Sequence, residues 1–252
     1  MRTTQWYGKK VAFLGDSITD KCHVGTTKNY WQFLRDYLGI EHLVYGINGW
    51  SWAGLVKQAE ALKQDHGTDL DAILVFMGTN DYNSNVPLGE WFATHEEEVN
   101  SHGTVMKKQR REFCMDPDTF RGRINIGLKY LKENFPLQQI ILLTPVHRGY
   151  ANFGGTNVQP EETFPNDIDV YVDDYISALR EAGSLWSVPV IDLFAVSGLF
   201  PVNDAYAQFF HDADTDRLHP NAAGHDRIAK TLVYQLLSLP STFRCETESG
   251  SE

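Results

Sequence analysis

Five short runs dominated by Val, Ile, Leu and Phe recur along the chain, at residues 11–14, 42–47, 72–77, 139–144 and 188–194. None alternates apolar with polar residues. Continuous apolar character is the mark of a strand covered on both faces, the burial pattern of a parallel sheet. Between the runs lie amphipathic stretches near residues 29–38, 52–64, 118–134, 167–187 and 221–237, whose apolar positions recur at helical spacing. Strand followed by helix, five times over, predicts an α/β fold, a doubly wound three-layer sandwich with right-handed crossovers. In an open sheet of this kind ligands bind beyond the carboxyl ends of the strands.

Two stretches break the rhythm. Residues 82–117 are too long for an ordinary connection and predict a helical insertion or a lid over the site. Within them the acidic run Glu96 to Glu98 precedes the basic run Lys107 to Arg111, a pattern expected on the solvated face of a helix. Residues 146–165 carry several Gly, Asn and Pro and predict a loop on the strand-carboxyl rim. The whole reads as one domain over residues 1–240 with an insertion at 82–117, followed by a polar tail at 246–252.

Composition narrows the function classes. An apolar fraction of 42% in 252 residues suffices for an ordinary globular core. A formal charge of −11 argues against a nucleic-acid partner, because phosphate contacts need clustered Lys and Arg. No stretch approaches the roughly 20 apolar residues of a membrane span, and residues 1–10 lack the apolar core of a signal peptide. The chain reads as soluble, cytoplasmic or exported with a signal removed. Cys22, Cys114 and Cys245 have neither disulfide-framework nor zinc spacing. No HExxH or other metal pattern occurs, so no metal and no cofactor are expected. Oligomeric state is not written in the sequence.

Three predicted strands run directly into polar sequences: Gly15-Asp16-Ser17, Asn48-Gly49-Trp50 and Gly78-Thr79-Asn80-Asp81. A serine hydroxyl becomes a nucleophile only when a base takes its proton and a third group orients that base. Ser17 emerges at a strand end through Gly15, whose missing side chain permits a tight turn. His219, in Asp216-Arg217-Leu218-His219-Pro220, is the base candidate. A spacing of three residues lets the Asp216 carboxylate accept the Nδ1 proton and turn Nε2 outward. Asp212 and Asp214 lie nearby and stay open as orienters, with Asp216 favoured by its spacing. Acyl transfer also needs donors for the developing oxyanion. Gly49 offers an unobstructed backbone N–H and Asn80 a side-chain amide, with the Ser17 N–H as a third.

Gly15-Asp16-Ser17, Gly49, Gly78-Thr79-Asn80-Asp81 and Asp216-Arg217-Leu218-His219-Pro220 together resemble, in order and spacing, the four sequence blocks of the SGNH, or GDSL, hydrolases. The likeness runs from about residue 11 to about residue 237. It implies a flavodoxin-like five-stranded parallel sheet, Ser17, His219 and Asp216 as catalytic triad, and Gly49 and Asn80 in the oxyanion hole. Within the family the chain is most similar to the bacterial lipase or acylhydrolase group, and the insertion after Asp81 departs from its minimal members. No Gly-x-Ser-x-Gly elbow occurs. The reaction expected is hydrolysis of an O-acyl ester. Trp50, Trp52, Tyr82 and Trp91 sit near the predicted mouth, and flat aromatic faces suit sugars, which favours an O-acyl carbohydrate with Trp50 and Tyr82 as substrate contacts. A short-chain lipid or lysophospholipid ester is the alternative. A non-catalytic carbohydrate-binding protein on a decayed hydrolase fold is the competing class.

Overall fold

The computed structural model describes residues 4–239, so the 246–252 tail and Cys245 lie outside the described residues. Five parallel strands form the central sheet: β1 (Lys10–Gly15), β2 (Glu41–Val44), β3 (Ala72–Phe76), β4 (Gln139–Leu143) and β5 (Val190–Ile191). Their order across the sheet is β2-β1-β3-β4-β5, the flavodoxin-like winding. Five long helices cover it: α1 (Tyr30–Leu38), α2 (Leu55–His66), α3 (Phe120–Asn134), α4 (Val172–Trp186) and α5 (Ala222–Ser238).

The three layers follow from the pleat. Ala12, Leu14, Ile73, Val75 and Leu142 point to one face, where the apolar stripes of α2, α3 and α4 bury them. Val11, Phe13, Leu74, Phe76 and Ile141 point to the other, against α1 and α5. Both faces are dry, so these strands carry no polar alternation. Caps fix where helices begin: Asn221 Oδ1 accepts the N–H groups of Ala223 and Gly224 at 2.9 and 3.2 Å, starting α5 three residues after His219.

The insertion is not helical. Phe92–Ser101 and Thr104–Phe113 form a long antiparallel hairpin whose charged runs face one another across the strands, with Glu98 opposite Lys107 and Glu97 opposite Lys108. The expectation of a solvated helical face is corrected: the charges are solvated, on a ribbon. His102 and Gly103, both at positive φ (54° and 83°), make the two-residue turn. At its base Phe113 stacks on Trp186 with ring centroids 4.3 Å apart. The rim loop is more ordered than a plain loop. Ala151–Asn152 and Val158–Gln159 pair with each other, and Ala151 pairs with Asp216 in a small second sheet with Asp216–Pro220 and Phe210–Asp212.

Candidate active site

Ser17 stands where β1 ends, and that exit is tightly specified. A Cβ on Gly15 would lie 2.3 Å from Thr19 Oγ1 and 2.9 Å from the Phe76 carbonyl oxygen, so only glycine fits. The buried Gln58 carboxamide brackets Gly15, its Oε1 accepting the Gly15 N–H at 2.9 Å and its Nε2 donating to the Gly15 carbonyl at 2.8 Å. The chain then turns, with Thr19 and Asp20 N–H groups both donating to the Asp16 carbonyl. Burial pushes the Asp16 carboxyl up to about 7, against the pull of the Ile18 N–H and the charge of His219.

The Asp216–Pro220 strand brings the imidazole to this serine. His219 Nε2 lies 3.0 Å from Ser17 Oγ, and its Nδ1 lies 2.9 Å from Asp216 Oδ2. Asp216 Oδ1 also accepts the backbone N–H groups of Leu218 and His219 at 3.1 and 3.0 Å, so the carboxylate is clamped by its own turn. Burial would raise the Asp216 carboxyl. The hydrogen bond and charge of His219, with the two backbone donors, outweigh it and hold the group below the ordinary carboxylate value. Asp212, left open by spacing, instead caps the Asp214 and Thr215 N–H groups at 2.9 and 2.8 Å.

Gly49 and Asn80 meet at the same cleft. Gly49 adopts φ 77°, which turns its peptide, and among the described residues its N–H and that of Ser17 have no protein acceptor. One N–H of the Asn80 amide is committed to the Trp50 carbonyl at 2.9 Å. Two buried carboxylates hold this arrangement: Asp20 Oδ2 accepts the Asn48 N–H at 2.7 Å, and Asp81 Oδ2 accepts the Trp52 N–H at 3.0 Å. Asp81 Oδ1 is ion-paired with Arg123 at 3.0 Å. Burial pushes the Asp81 carboxyl up to about 6 in spite of both partners.

The cleft holds about 330 Å³, with Ser17, His219, Gly49 and Asn80 on its walls. No residue of 82–117 lines it. The aromatic contacts expected from sequence are not brought to it either. Tyr82 is 3% exposed and donates to the Phe164 carbonyl at 2.9 Å, Trp52 is 2% exposed, and Trp50 packs its ring against Gly54. Residues absent from the sequence reasoning take their place: Phe153, Asn157 and Gln159, all from the rim loop, line the cleft. The loop's location was legible from its Gly, Asn and Pro content, but nothing in its pattern says which side chains turn inward. A larger depression of about 830 Å³, beside Leu137 and Pro189, lies at the amino ends of β4 and β5, the wrong end of the sheet for this chemistry.

Sheet order and a cleft at the strand-carboxyl rim define an α/β/α sandwich with its site where open sheets of this kind bind ligands. Residues 13–227 match the model of the GDSL-like Lipase/Acylhydrolase family, and the chain belongs to that family. It is an esterase or lipase of the GDSL type. Among solved structures it is similar to a Lactobacillus plantarum protein, with 26% identity, TM-score 0.72, and 91% of this chain and 97% of that one covered. A possible lipase from Chitinophaga pinensis gives 20% identity, TM-score 0.67, and coverage of 92% and 100%. An acetylxylan esterase from Geobacillus stearothermophilus gives 18% identity, TM-score 0.54, and coverage of 95% and 98%. A search of curated proteins found no match. Among the described residues no helix is long and apolar enough to cross a membrane, and no cluster of three or more His, Cys, Asp or Glu could hold a metal ion.

Proposed function

We propose that the protein hydrolyses O-acyl esters through a Ser17–His219–Asp216 triad and an acyl-enzyme. The observation that carries this reading is the unbroken relay from Ser17 Oγ to His219 Nε2 at 3.0 Å and from His219 Nδ1 to Asp216 Oδ2 at 2.9 Å. Ser17 Oγ attacks the ester carbonyl carbon while His219 takes the hydroxyl proton. The N–H groups of Gly49 and Ser17 and the second N–H of Asn80 receive the oxyanion. The bond to the alcohol breaks as His219 returns the proton to it. Water then attacks the acyl-serine by the same route and releases the acid.

The small cleft, edged by Asn48, Asn80, Asn157 and Gln159 and floored in part by Ile18, Val24 and Leu218, favours by its volume a short acyl group, and by its amides a hydroxylated alcohol, O-acyl carbohydrate included. A long-chain lipid ester needs a longer trough than a cleft of about 330 Å³ offers. The acetylxylan esterase among the structural neighbours is consistent with a carbohydrate alcohol. A fluorophosphonate probe tests the chemistry: labelling of the native chain that is lost in Ser17→Ala supports the triad, and an unreactive native chain supports the binding-protein class instead. Turnover of p-nitrophenyl esters of increasing chain length, compared with acetylated oligosaccharides, separates the two ester classes.

A further inference from the structure

Chemistry fixes which side of the cleft receives the alcohol. When the tetrahedral adduct breaks down, the leaving oxygen takes its proton from His219 Nε2, so the alcohol must lie on the imidazole side of Ser17. The side chain beside that imidazole is Phe153, with ring centroids 5.4 Å apart and planes at 57°. Phe153 is 43% exposed, an aromatic ring on the wall of the cleft.

Phe153 belongs to a flap that is anchored at both sides of the site. On one side it is stitched to the Asp216 strand: Asn152 N donates to the Thr215 carbonyl at 2.8 Å, and Arg217 N to the Tyr150 carbonyl at 2.9 Å. On the other, Gln159 Oε1 accepts from Asn83 Nδ2 at 2.7 Å and from Arg148 Nη2 at 2.9 Å, while Arg148 Nη1 donates to Asn83 Oδ1. Asn83 ends the one-turn helix Thr79–Asn83 that carries Asn80. Arg148 is 1% exposed, and among the described residues no carboxylate forms an ion pair with it. Its guanidinium serves as a fixed clip between the flap and the Asn80 turn. Gln159 Nε2 in turn donates to Asn157 Oδ1 at 3.0 Å, which spends the Asn157 oxygen and leaves its amide N–H groups as donors.

Resting on the esterase reading above, we infer that the flap, with Phe153 and Asn157 as contacts and Arg148 as positioning residue, recognises the alcohol half of the ester. An aromatic ring beside an amide donor suits an alcohol with an apolar ring face and oxygen acceptors at its edge, the chemistry of a pyranoside. The acyl group lies away from the flap.

The test compares kcat/KM of the full chain for two pairs of esters: an acetylated methyl pyranoside against ethyl acetate, and the acetyl against the butyryl ester of that same pyranoside. In Phe153→Ala and Asn157→Ala, both exposed and compatible with the fold, the alcohol preference is expected to fall roughly five- to tenfold and the acyl preference to move less than about twofold. Arg148→Lys keeps the charge without the fork, and is expected to lower the alcohol preference through KM more than through kcat. An alcohol preference unchanged in the Phe153 and Asn157 variants overturns the inference, as does a shift confined to the acyl pair. Failure of the esterase reading looks different: a native chain that neither reacts with fluorophosphonate nor turns over either acetate.

Discussion

The Nε2 of His219 stands 3.0 Å from the Oγ of Ser17 although 202 residues separate the two in the chain. Both are buried, 6% and 8% exposed, so bulk water does not compete for the contact. In the proposed mechanism, removing either partner removes proton transfer from the attacking hydroxyl. Ser17→Ala and His219→Asn are each expected to lower kcat at least about 10³-fold on a chromogenic acetate. Steady-state kinetics on protein with native circular dichroism checks this, and loss of less than tenfold in either variant removes that residue from the chemistry.

Asp216→Asn separates orientation from packing. The amide oxygen can still accept the Leu218 and His219 N–H groups, so the turn survives. Its NH₂, however, faces Nδ1 where a carboxylate now accepts a proton, and this favours the tautomer with Nε2 protonated. kcat is expected to fall roughly 10³- to 10⁴-fold with little change in KM. A fall confined to KM would reassign Asp216 to binding.

Asn80→Ala removes the donor proposed for the oxyanion and also the latch on the Trp50 carbonyl. Loss of a single such donor typically costs about 10²-fold in kcat. Asn80→Asp is the control: it keeps the size of the side chain but presents oxygens to the Trp50 carbonyl and to a negatively charged adduct, so it should be at least as impaired. Single-turnover acylation rates measure both.

The sheet was legible because its central strands β1, β3 and β4 are dry on both faces, and the cleft because three strands run into Ser17, Gly49 and Asn80. Strand ends were less so. The regular part of β2 ends at Val44, although the Tyr45 and Ile47 N–H groups still donate to the Phe13 and Gly15 carbonyls of β1, and the last strand stops at Ile191 because Asp192 Oδ1 caps the Ala195 N–H, starting the short helix Leu193–Val196. The hairpin escaped notice for a physical reason: both its faces are solvated, so it has no period-two apolar signal. Its one local cue was Gly103 at a two-residue turn between two runs of opposite charge. Asp20, Gln58 and Arg148 were invisible because their roles lie in contacts with residues remote in sequence, to Asn48, Gly15 and Asn83.

Asp16 makes stability depend on pH. Burial lifts its folded-state value from 3.8 to about 7, so between those limits the folded chain holds a proton that the unfolded chain has released. Stability from this group is therefore full below about pH 4 and fades as pH rises through 7. Asp16→Asn keeps the acceptor for the Ile18 N–H, at 3.1 Å from Asp16 Oδ1, and cannot ionise. The stability of the variant relative to the native chain is expected to rise with pH from 4 to 7 and then level off, by up to about 4 kcal/mol at 1.36 kcal/mol per unit. Urea titrations at pH 4, 5.5, 7 and 8 read the trend, and a difference that is flat with pH would mean that Asp16 ionises in the fold at its ordinary value.

The hairpin makes the opposite prediction, of independence from the chemistry. Its strands pair along ten residues each, and its ion pairs, such as Lys107 to Glu96 at 3.1 Å and Arg110 to Glu97 at 2.6 Å, are exposed at the surface. Pairs of this kind contribute about 0 to 1 kcal/mol each, and salt screens them. The anchoring lies at the base, where Phe92 and Phe113 sit 4.9 Å apart and Phe113 stacks on Trp186. Replacing residues 95–110 with a tight turn keeps that base and removes only the solvated ribbon. kcat/KM on a chromogenic acetate is expected to stay within about twofold, and global stability within about 1 kcal/mol. A drop beyond tenfold on a stably folded variant would show that the ribbon reaches the cleft during turnover, since none of its residues lines the cleft at rest. In contrast, Phe113→Ala strips an aromatic from the base and is expected to destabilise the chain by about 1 to 3 kcal/mol while leaving the distance between Ser17 and His219, and hence kcat, unaffected.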